Sequence, residues 1–250
     1  MSYTIAIAGK GGTGKTTIAA LLVRLLKEKK LGSILAVDAD PNSNLGEALG
    51  VEVKETIGSI LDDIAAHPER IPSGMPKERF IEYEVQTAVR EAEGFDVLTM
   101  GKPEGPGCYC YVNNVLRNLM ARLIKDYDYI VIDNEAGLEH LSRRTTRSAE
   151  ALVVVSNITA AGLKAAGRIG ELARELDIKI KKSLLVVNCS EKNPAKETLK
   201  EMGLDYIGNI PRDRRIEKIS LNGNSLLALA DDAQSISALR KIGDKIWQQS

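Results

Sequence analysis

Gly9-Lys10-Gly11-Gly12-Thr13-Gly14-Lys15-Thr16-Thr17 brings glycines, a lysine and two hydroxyls together, the residue types that enclose a polyphosphate. The pattern is G-x-x-x-x-G-K-[ST], in which glycines let successive backbone N–H groups curl around phosphate oxygens. In that chemistry Lys15 reaches the outer phosphates and the Thr16 hydroxyl sits on Mg²⁺. Gly11, Gly12, Thr13, Gly14 and Thr17 complete the cradle. Two further runs end in carboxylates: Tyr129-Ile130-Val131-Ile132-Asp133, and Ala36-Val37-Asp38-Ala39-Asp40-Pro41. Beside a phosphate loop, Asp133 is expected to hold a Mg²⁺-bound water. Asp40 is expected to orient the attacking water or a water on Mg²⁺, and Asp38 to support Thr16 and the metal from behind. Gly137 follows closely and is placed to offer its backbone N–H to a γ-phosphate, which makes 134–140 a switch segment. His140 lies in that segment on a polar helix start.

A second chemistry resides in Cys108-Tyr109-Cys110, which follows Glu104-Gly105-Pro106-Gly107. Beyond it, Val112, Val115, Leu116, Leu119, Leu123 and Ile124 recur at helical spacing. The thiols thus stand at or just before a helix N-terminus, where the dipole favours thiolate. A C-x-C turn can aim two thiolates at one soft metal, but two ligands leave a divalent ion under-coordinated. A symmetric dimer supplies two more, giving an S₄ site on the two-fold axis. Four thiolates suit Zn²⁺ when tetrahedral, and Ni²⁺ or Cu²⁺ when the site flattens. Packing cysteines or a disulfide are the alternatives, although a disulfide across one intervening residue is strained. Cys189 follows an apolar run and reads as a structural thiol.

The elements that must position these groups are short β-type runs alternating with longer helical patterns. Strands are expected at 3–8, 33–37, 96–100, 129–133, 151–155, 183–187 and 206–208, and helices at 112–125, 160–176 and 193–202. Several strand runs are continuously apolar, as parallel strands covered on both faces must be. The expected fold is α/β: a doubly wound, mostly parallel, twisted sheet with helices on both faces. One P-loop domain spanning 1–250 is expected, with 67–77 a surface loop.

Composition narrows the class. Lys plus Arg number 34 and Asp plus Glu also 34, a balance that argues against a nucleic-acid coat. Aromatics are scarce, so base-stacking surfaces are not expected. No run approaches the ~20 apolar residues that span a bilayer, and nothing reads as a signal peptide. The expectation is a cytoplasmic protein with reduced thiols, bound to neither nucleic acid nor membrane.

Lys10 directly after the first glycine is not required by an ordinary phosphate loop. The string Lys10-Gly11-Gly12-Thr13-Gly14-Lys15-Thr16-Thr17 resembles the deviant Walker A motif of the MinD/ParA and nitrogenase-iron-protein group of ATPases, and Asp38-Ala39-Asp40-Pro41 resembles its D-x-D-P element. The resemblance implies an ATP-dependent homodimer in which Lys10 acts on the partner's phosphates. It also implies that Asn188 contacts adenine and that Ile210-Pro211-Arg212-Asp213 forms a second base-contacting loop. The string Asn188-Cys189-Ser190-Glu191 lacks the Lys and Asp of the guanine signature N-K-x-D, which favours ATP and ADP over guanine nucleotides.

With Gly107-Cys108-Tyr109-Cys110 and Asp133-Asn134-Glu135-Ala136-Gly137-Leu138-Glu139-His140 added in order, the whole chain is similar to the CooC family of nickel-handling ATPases. That resemblance implies Ni²⁺, or Zn²⁺ at the same thiolates, held by Cys108 and Cys110 of both subunits. It further implies delivery to apo carbon monoxide dehydrogenase or the related acetyl-CoA synthase. Two alternatives stand beside it. One is a MinD/ParA-type positioning ATPase that uses Ile236, Leu239, Ile242, Ile246 and Trp247, interleaved with Arg240, Lys241 and Lys245, as a membrane-surface helix. The other is an ATPase dimer carrying an iron–sulfur cluster, although cluster ligands from one chain are usually spaced more widely than C-x-C.

Overall fold

The apolar runs become strands because their β-branched and aliphatic side chains can be covered on both faces at once. In a computed structural model that describes residues 2–101, 120–135, 148–176 and 178–247, they form one sheet in the order β3-β4-β2-β5-β1-β6-β7-β8. The strands are β1 (Tyr3–Gly9), β2 (Ile34–Ala39), β3 (Arg90–Ala92), β4 (Phe95–Thr99), β5 (Tyr129–Asn134), β6 (Ser148–Ser156), β7 (Lys179–Asn188) and β8 (Asp205–Ile210). Every pairing is parallel except β3 with β4. The helices are α1 (Lys15–Glu28), α2 (Leu45–Leu49), α3 (Ile57–Ala66), α4 (Lys77–Ala88), α5 (Ala160–Glu175), α6 (Lys196–Met202), α7 (Arg214–Leu221) and α8 (Gln234–Trp247).

Alternation along each strand sorts the core into two layers. Ile5, Ile7, Ala36, Val131 and Val153 face α1, α2 and α8, whereas Ala6, Ala8, Val37, Ile132 and Val154 face α3, α4 and α5. The chain leaves central β1 through α1 and returns as β2, which skips over β5. The C-terminal end of β1 therefore opens into the crevice where strand order reverses, the place where such sheets bind ligands.

The expected strands are all present, most of them longer than anticipated. The edge hairpin partner β3 was not anticipated, because Arg90-Glu91-Ala92 is short and polar and pairs on one side only. The helix expected at 193–202 begins at Lys196, since Asn193 is tied into side-chain bonds with Tyr206 and Asn209. Most of the helix expected at 112–125 lies outside the described residues, and 3₁₀ geometry over Ile124–Asp126 ends it early. Segment 67–77 is a surface connection with one 3₁₀ turn, Pro68–Arg70.

The C-terminal run does not offer a free apolar face. Ile236, Leu239, Ile242, Ile246 and Trp247 are buried against the α1 side of the sheet, which removes the surface that a membrane-binding helix would need. Among the described residues no helix is long and apolar enough to cross a membrane. A closed ring of charges fastens α8 there. Arg24 reaches Glu28 at 2.6 Å and Asp231 at 2.6 Å, and Arg240 reaches the same two carboxylates at 3.1 and 2.8 Å. Arg24 also donates to the Leu229 carbonyl from a buried position. Removing the one buried member takes the donor from the Leu229 carbonyl and leaves Glu28 and Asp231 to Arg240 alone, so Arg24→Ala is expected to cost about 1–3 kcal/mol in urea unfolding. A loss under about 0.5 kcal/mol, the size of an exposed pair, would show that the ring is ornamental.

Candidate functional site

The glycine-rich loop connects β1 to α1 and is held from both sides. Gly9 passes so close to β6 that a Cβ would stand 2.3 Å from the Val155 carbonyl oxygen. Gly14 has φ +91°, a left-handed conformation, and a Cβ there would meet the Asn188 amide nitrogen at 2.3 Å. The reason for that crowding is a bond: Asn188 Nδ2 donates to the Thr13 carbonyl at 2.8 Å. Thr13 in turn donates from its hydroxyl to the Lys10 carbonyl at 2.9 Å, closing the turn. Lys10, Gly11 and Gly12 form the exposed tip, while Lys15 is buried at the start of α1. Thr16 and Thr17 follow in the first helical turn, where unpaired N–H groups favour an anion.

The two acidic strand ends meet beneath this helix start. Asp38 and Asp133 are register partners on neighbouring β2 and β5, and alternation turns both carboxylates to the α1 face. Both are buried. Burial pushes Asp38 up to about 7, with the charge of Asp133 adding to it and the Leu45 and Asp40 N–H groups opposing it. Burial likewise pushes Asp133 up to about 6, although the Thr16 hydroxyl and the Lys15 ammonium lie near enough to pull it back. Neither Asp133 oxygen has a hydrogen-bond partner within bonding distance. A buried carboxylate with both oxygens unspent, beside a threonine hydroxyl, is the donor chemistry of a hard divalent cation. The residues present therefore fit Mg²⁺, which Thr16, Asp133 and Asp40 would hold directly or through water.

Asp38 also shapes the local backbone: its oxygens accept from Asp40 N at 3.1 Å and Leu45 N at 2.8 Å, fixing the turn that carries Asp40 and starting α2. The carboxylate beside Thr16 is Asp133. Asp40 lies just past the strand end, partly exposed, with Oδ1 accepting from the Asn42 backbone and side chain at 2.9 Å.

Asn188 ends β7 and residues 211–213 directly follow β8, so adjacent strands carry the two groups expected at the base. Asn188 gives one amide N–H to the Thr13 carbonyl of the phosphate loop, a clamp that residue type alone did not reveal. Asp213 is spent: it caps α7 through Arg215 N at 3.0 Å and accepts from the Ser235 hydroxyl at 3.0 Å. Arg212 is exposed and pairs with Glu217 at 2.7 Å, and Pro211 is partly exposed beside it. Cys189 is exposed rather than buried, correcting its reading as a structural thiol. Cys108, Cys110, Gly137 and His140 lie outside the described residues. Among the described residues no cluster of three or more His, Cys, Asp or Glu is gathered to hold a metal.

Thr99 was missed by sequence reasoning. It is the β4 register partner of Asp38, is buried, and its hydroxyl is unpartnered. The signal was available in its position: it extends the row of polar strand ends formed by Asp38 and Asp133.

The raised pKa values set a pH dependence. The folded chain keeps protons on Asp38 and Asp133 that the unfolded chain, with carboxylates near 3.8, has already released. This contribution to stability is therefore greatest below about 4 and is lost as pH rises through about 6 to 7. Mg²⁺ needs the ionised forms, so its stabilising effect runs the opposite way. The rise in Tm produced by Mg²⁺ and ADP is expected to grow from about pH 5 to about pH 8. A rise independent of pH would contradict the buried-carboxylate reading.

The CobQ/CobB/MinD/ParA nucleotide-binding domain matches residues 4–226. An uncharacterized ATP-binding protein of Methanocaldococcus jannaschii is 44% identical over 249 residues, covering 97% of each chain. The carbon monoxide dehydrogenase accessory protein CooC of Rhodospirillum rubrum is 31% identical over 264 residues, covering 96% of this chain and 97% of its own. Among solved structures, the septum site-determining protein MinD of Pyrococcus horikoshii, complexed with Mg-ADP, superposes with a TM-score of 0.71 at 25% identity, over 99% of this chain and 97% of that one.

Proposed function

We propose a function from one premise: the chain belongs to the CobQ/CobB/MinD/ParA nucleotide-binding family. It is a nickel chaperone whose ATP-driven homodimer carries Ni²⁺ on Cys108 and Cys110 of both subunits and assists its insertion into apo carbon monoxide dehydrogenase or acetyl-CoA synthase. The observation that carries this reading is the C-x-C pair within a chain that aligns over nearly its full length with a carbon monoxide dehydrogenase accessory protein. The thiolates are the cargo site, and the metal they carry is substrate rather than resident cofactor.

The residues divide the work as follows. Lys15 and the first-turn N–H groups of α1 bind the phosphates, and the Asn188 clamp keeps the Thr13 segment from relaxing when they leave. Thr16, Asp133 and Asp40 would hold Mg²⁺, directly or through water, and the ion would supply charge neutralisation at the phosphates. Asp40 orients the water, because it stands at the mouth of the crevice and its neighbour Asp38 fixes its backbone. Lys10, exposed at the loop tip, reaches the partner's phosphates, so that hydrolysis in one subunit is sensed across the dimer. Gly137 reports the γ-phosphate.

Replacing Cys108 and Cys110 together with Ser is expected to abolish stoichiometric Ni²⁺ and Zn²⁺ binding and to leave ATP affinity within about twofold. Anaerobic titration followed by metal analysis measures both. A double variant that still bound one metal per dimer would refute the thiolate site. Wild-type protein purified anaerobically as a brown species with thiolate-to-iron absorption would replace nickel with an iron–sulfur cluster.

A further inference from the structure

Between α5 and α6, on the sheet face opposite α1, runs a groove of about 620 Å³ that the nucleotide chemistry leaves unused. Its lining is apolar at the base, with Ile158, Leu163, Pro194 and Met202, and charged at the rim. Lys164 and Arg168 stand one turn apart on α5, Glu171 follows within the next turn, and Glu201 faces them from α6. All four are exposed, and none has an ion pair or side-chain hydrogen bond among the described residues. An apolar floor rimmed by polar and charged side chains is the composition of an interaction site.

The walls are preformed and begin at the nucleotide site. α5 starts from Thr159, which caps Gly162 N at 3.1 Å, directly after β6, whose Val155 pairs with Gly9. The opposite rim, at Asn193, follows β7 a few residues beyond Asn188, which holds the phosphate loop. That rim is locked by Tyr206, whose hydroxyl donates to Asn193 Oδ1 at 2.8 Å, and by Asn209, whose amide donates to the Lys192 carbonyl and Asn193 Oδ1 at 3.0 Å. An occupant of the groove therefore leans on two loops that lead straight to the phosphate cradle.

We infer that this groove docks an amphipathic surface segment of the client enzyme. Apolar side chains enter the floor, a carboxylate of the segment faces Lys164 and Arg168, and a basic side chain faces Glu171 and Glu201. Charge pattern selects this occupant. A small anion or a nucleic-acid backbone would meet the glutamates, and a planar headgroup layer cannot follow a groove between two helices down to its apolar floor, whereas a dipolar protein segment satisfies both ends and the floor. The inference rests on the client reading above and adds where on the chain the client is held.

Two variants test it. Lys164→Glu with Arg168→Glu inverts one end of the rim. Gly167→Tyr fills the groove, since a Cβ at Gly167 meets only Met202, at 3.7 Å or beyond, and a non-glycine residue suits a helix interior. The full-length chain, loaded with a non-hydrolysable ATP analogue, is titrated against purified nickel-free carbon monoxide dehydrogenase. Both variants are expected to bind at least about tenfold more weakly than wild type, with nucleotide affinity and metal stoichiometry unchanged. Wild-type affinity in either variant overturns the groove and leaves the client reading standing. Wild-type protein that binds Ni²⁺ and ATP but not the apo-enzyme overturns both.

Discussion

Lys15→Ala should lower affinity for Mg²⁺·ATP by about 10²–10³-fold, because it removes a buried cation from a site otherwise dominated by carboxylates. Lys15 is 7% exposed at the start of α1, close enough to Asp133 to lower its pKa. Without it the outer phosphates would face Asp133, Asp38 and Asp40 with only helix N–H groups and Mg²⁺ to offset the repulsion. Isothermal titration with a slowly hydrolysed analogue measures the loss. The cysteine pair should keep its metal stoichiometry in the same variant, since the two sites are chemically separate. An affinity loss under about fivefold would mean that the phosphates do not lie on the loop.

Asp133→Asn separates function from stability, because the two should move in opposite directions. Hydrolysis is expected to fall about 10²–10³-fold when the ionised Mg²⁺ ligand becomes a neutral amide. The metal-free protein, by contrast, should gain on the order of 1–3 kcal/mol at about pH 8, since a buried anion with no hydrogen-bond partner is removed. The sign depends on the raised pKa. Above about 6 wild-type Asp133 is ionised in its buried place and costs stability, whereas near 4 it is already protonated and the substitution should change little. Urea unfolding at both pH values, with steady-state ATPase assays, checks the pair. A variant destabilised at high pH would show that the carboxylate is satisfied and structural rather than poised for a cation. Sites that sacrifice stability in this way are usual where function needs unpaired charge.

How much of this was legible in the residues alone depends on the range of the interaction. The phosphate loop, β1 and α1 are local features, carried by Ile5, Ile7 and the helical spacing of Ile18 to Leu26, and they lie where the pattern places them. The parallel sheet was legible from continuous apolar runs, because only strands covered on both faces read that way. The polar edge strand β3 was not, since its pairing is its only support. Individual roles at the site depended on contacts between distant segments and were harder to read. Nothing near Asp38 in the chain reveals that its oxygens are taken by Asp40 and Leu45, or that the neighbour of Thr16 is Asp133 from another strand. Asn188 stands 175 residues from Thr13 in sequence, and only the neighbouring ends of β1, β6 and β7 bring them together. The C-terminal helix is the converse lesson. Its amphipathic pattern suits a membrane surface and a protein core equally, and burial of Ile236, Leu239 and Ile242 decides for the core.

The central claim is that one chain couples nucleotide to a metal shared between two subunits. Its most direct test is anaerobic Ni²⁺ titration of the wild-type chain, with and without a non-hydrolysable ATP analogue, coupled to light-scattering measurement of mass. The prediction is one Ni²⁺ per two chains, bound by thiolate, in a dimer whose formation is promoted by the analogue, by Ni²⁺, or by the two together. Ni²⁺ bound one per chain to a species that stays at the 27.2 kDa of a single chain would contradict it.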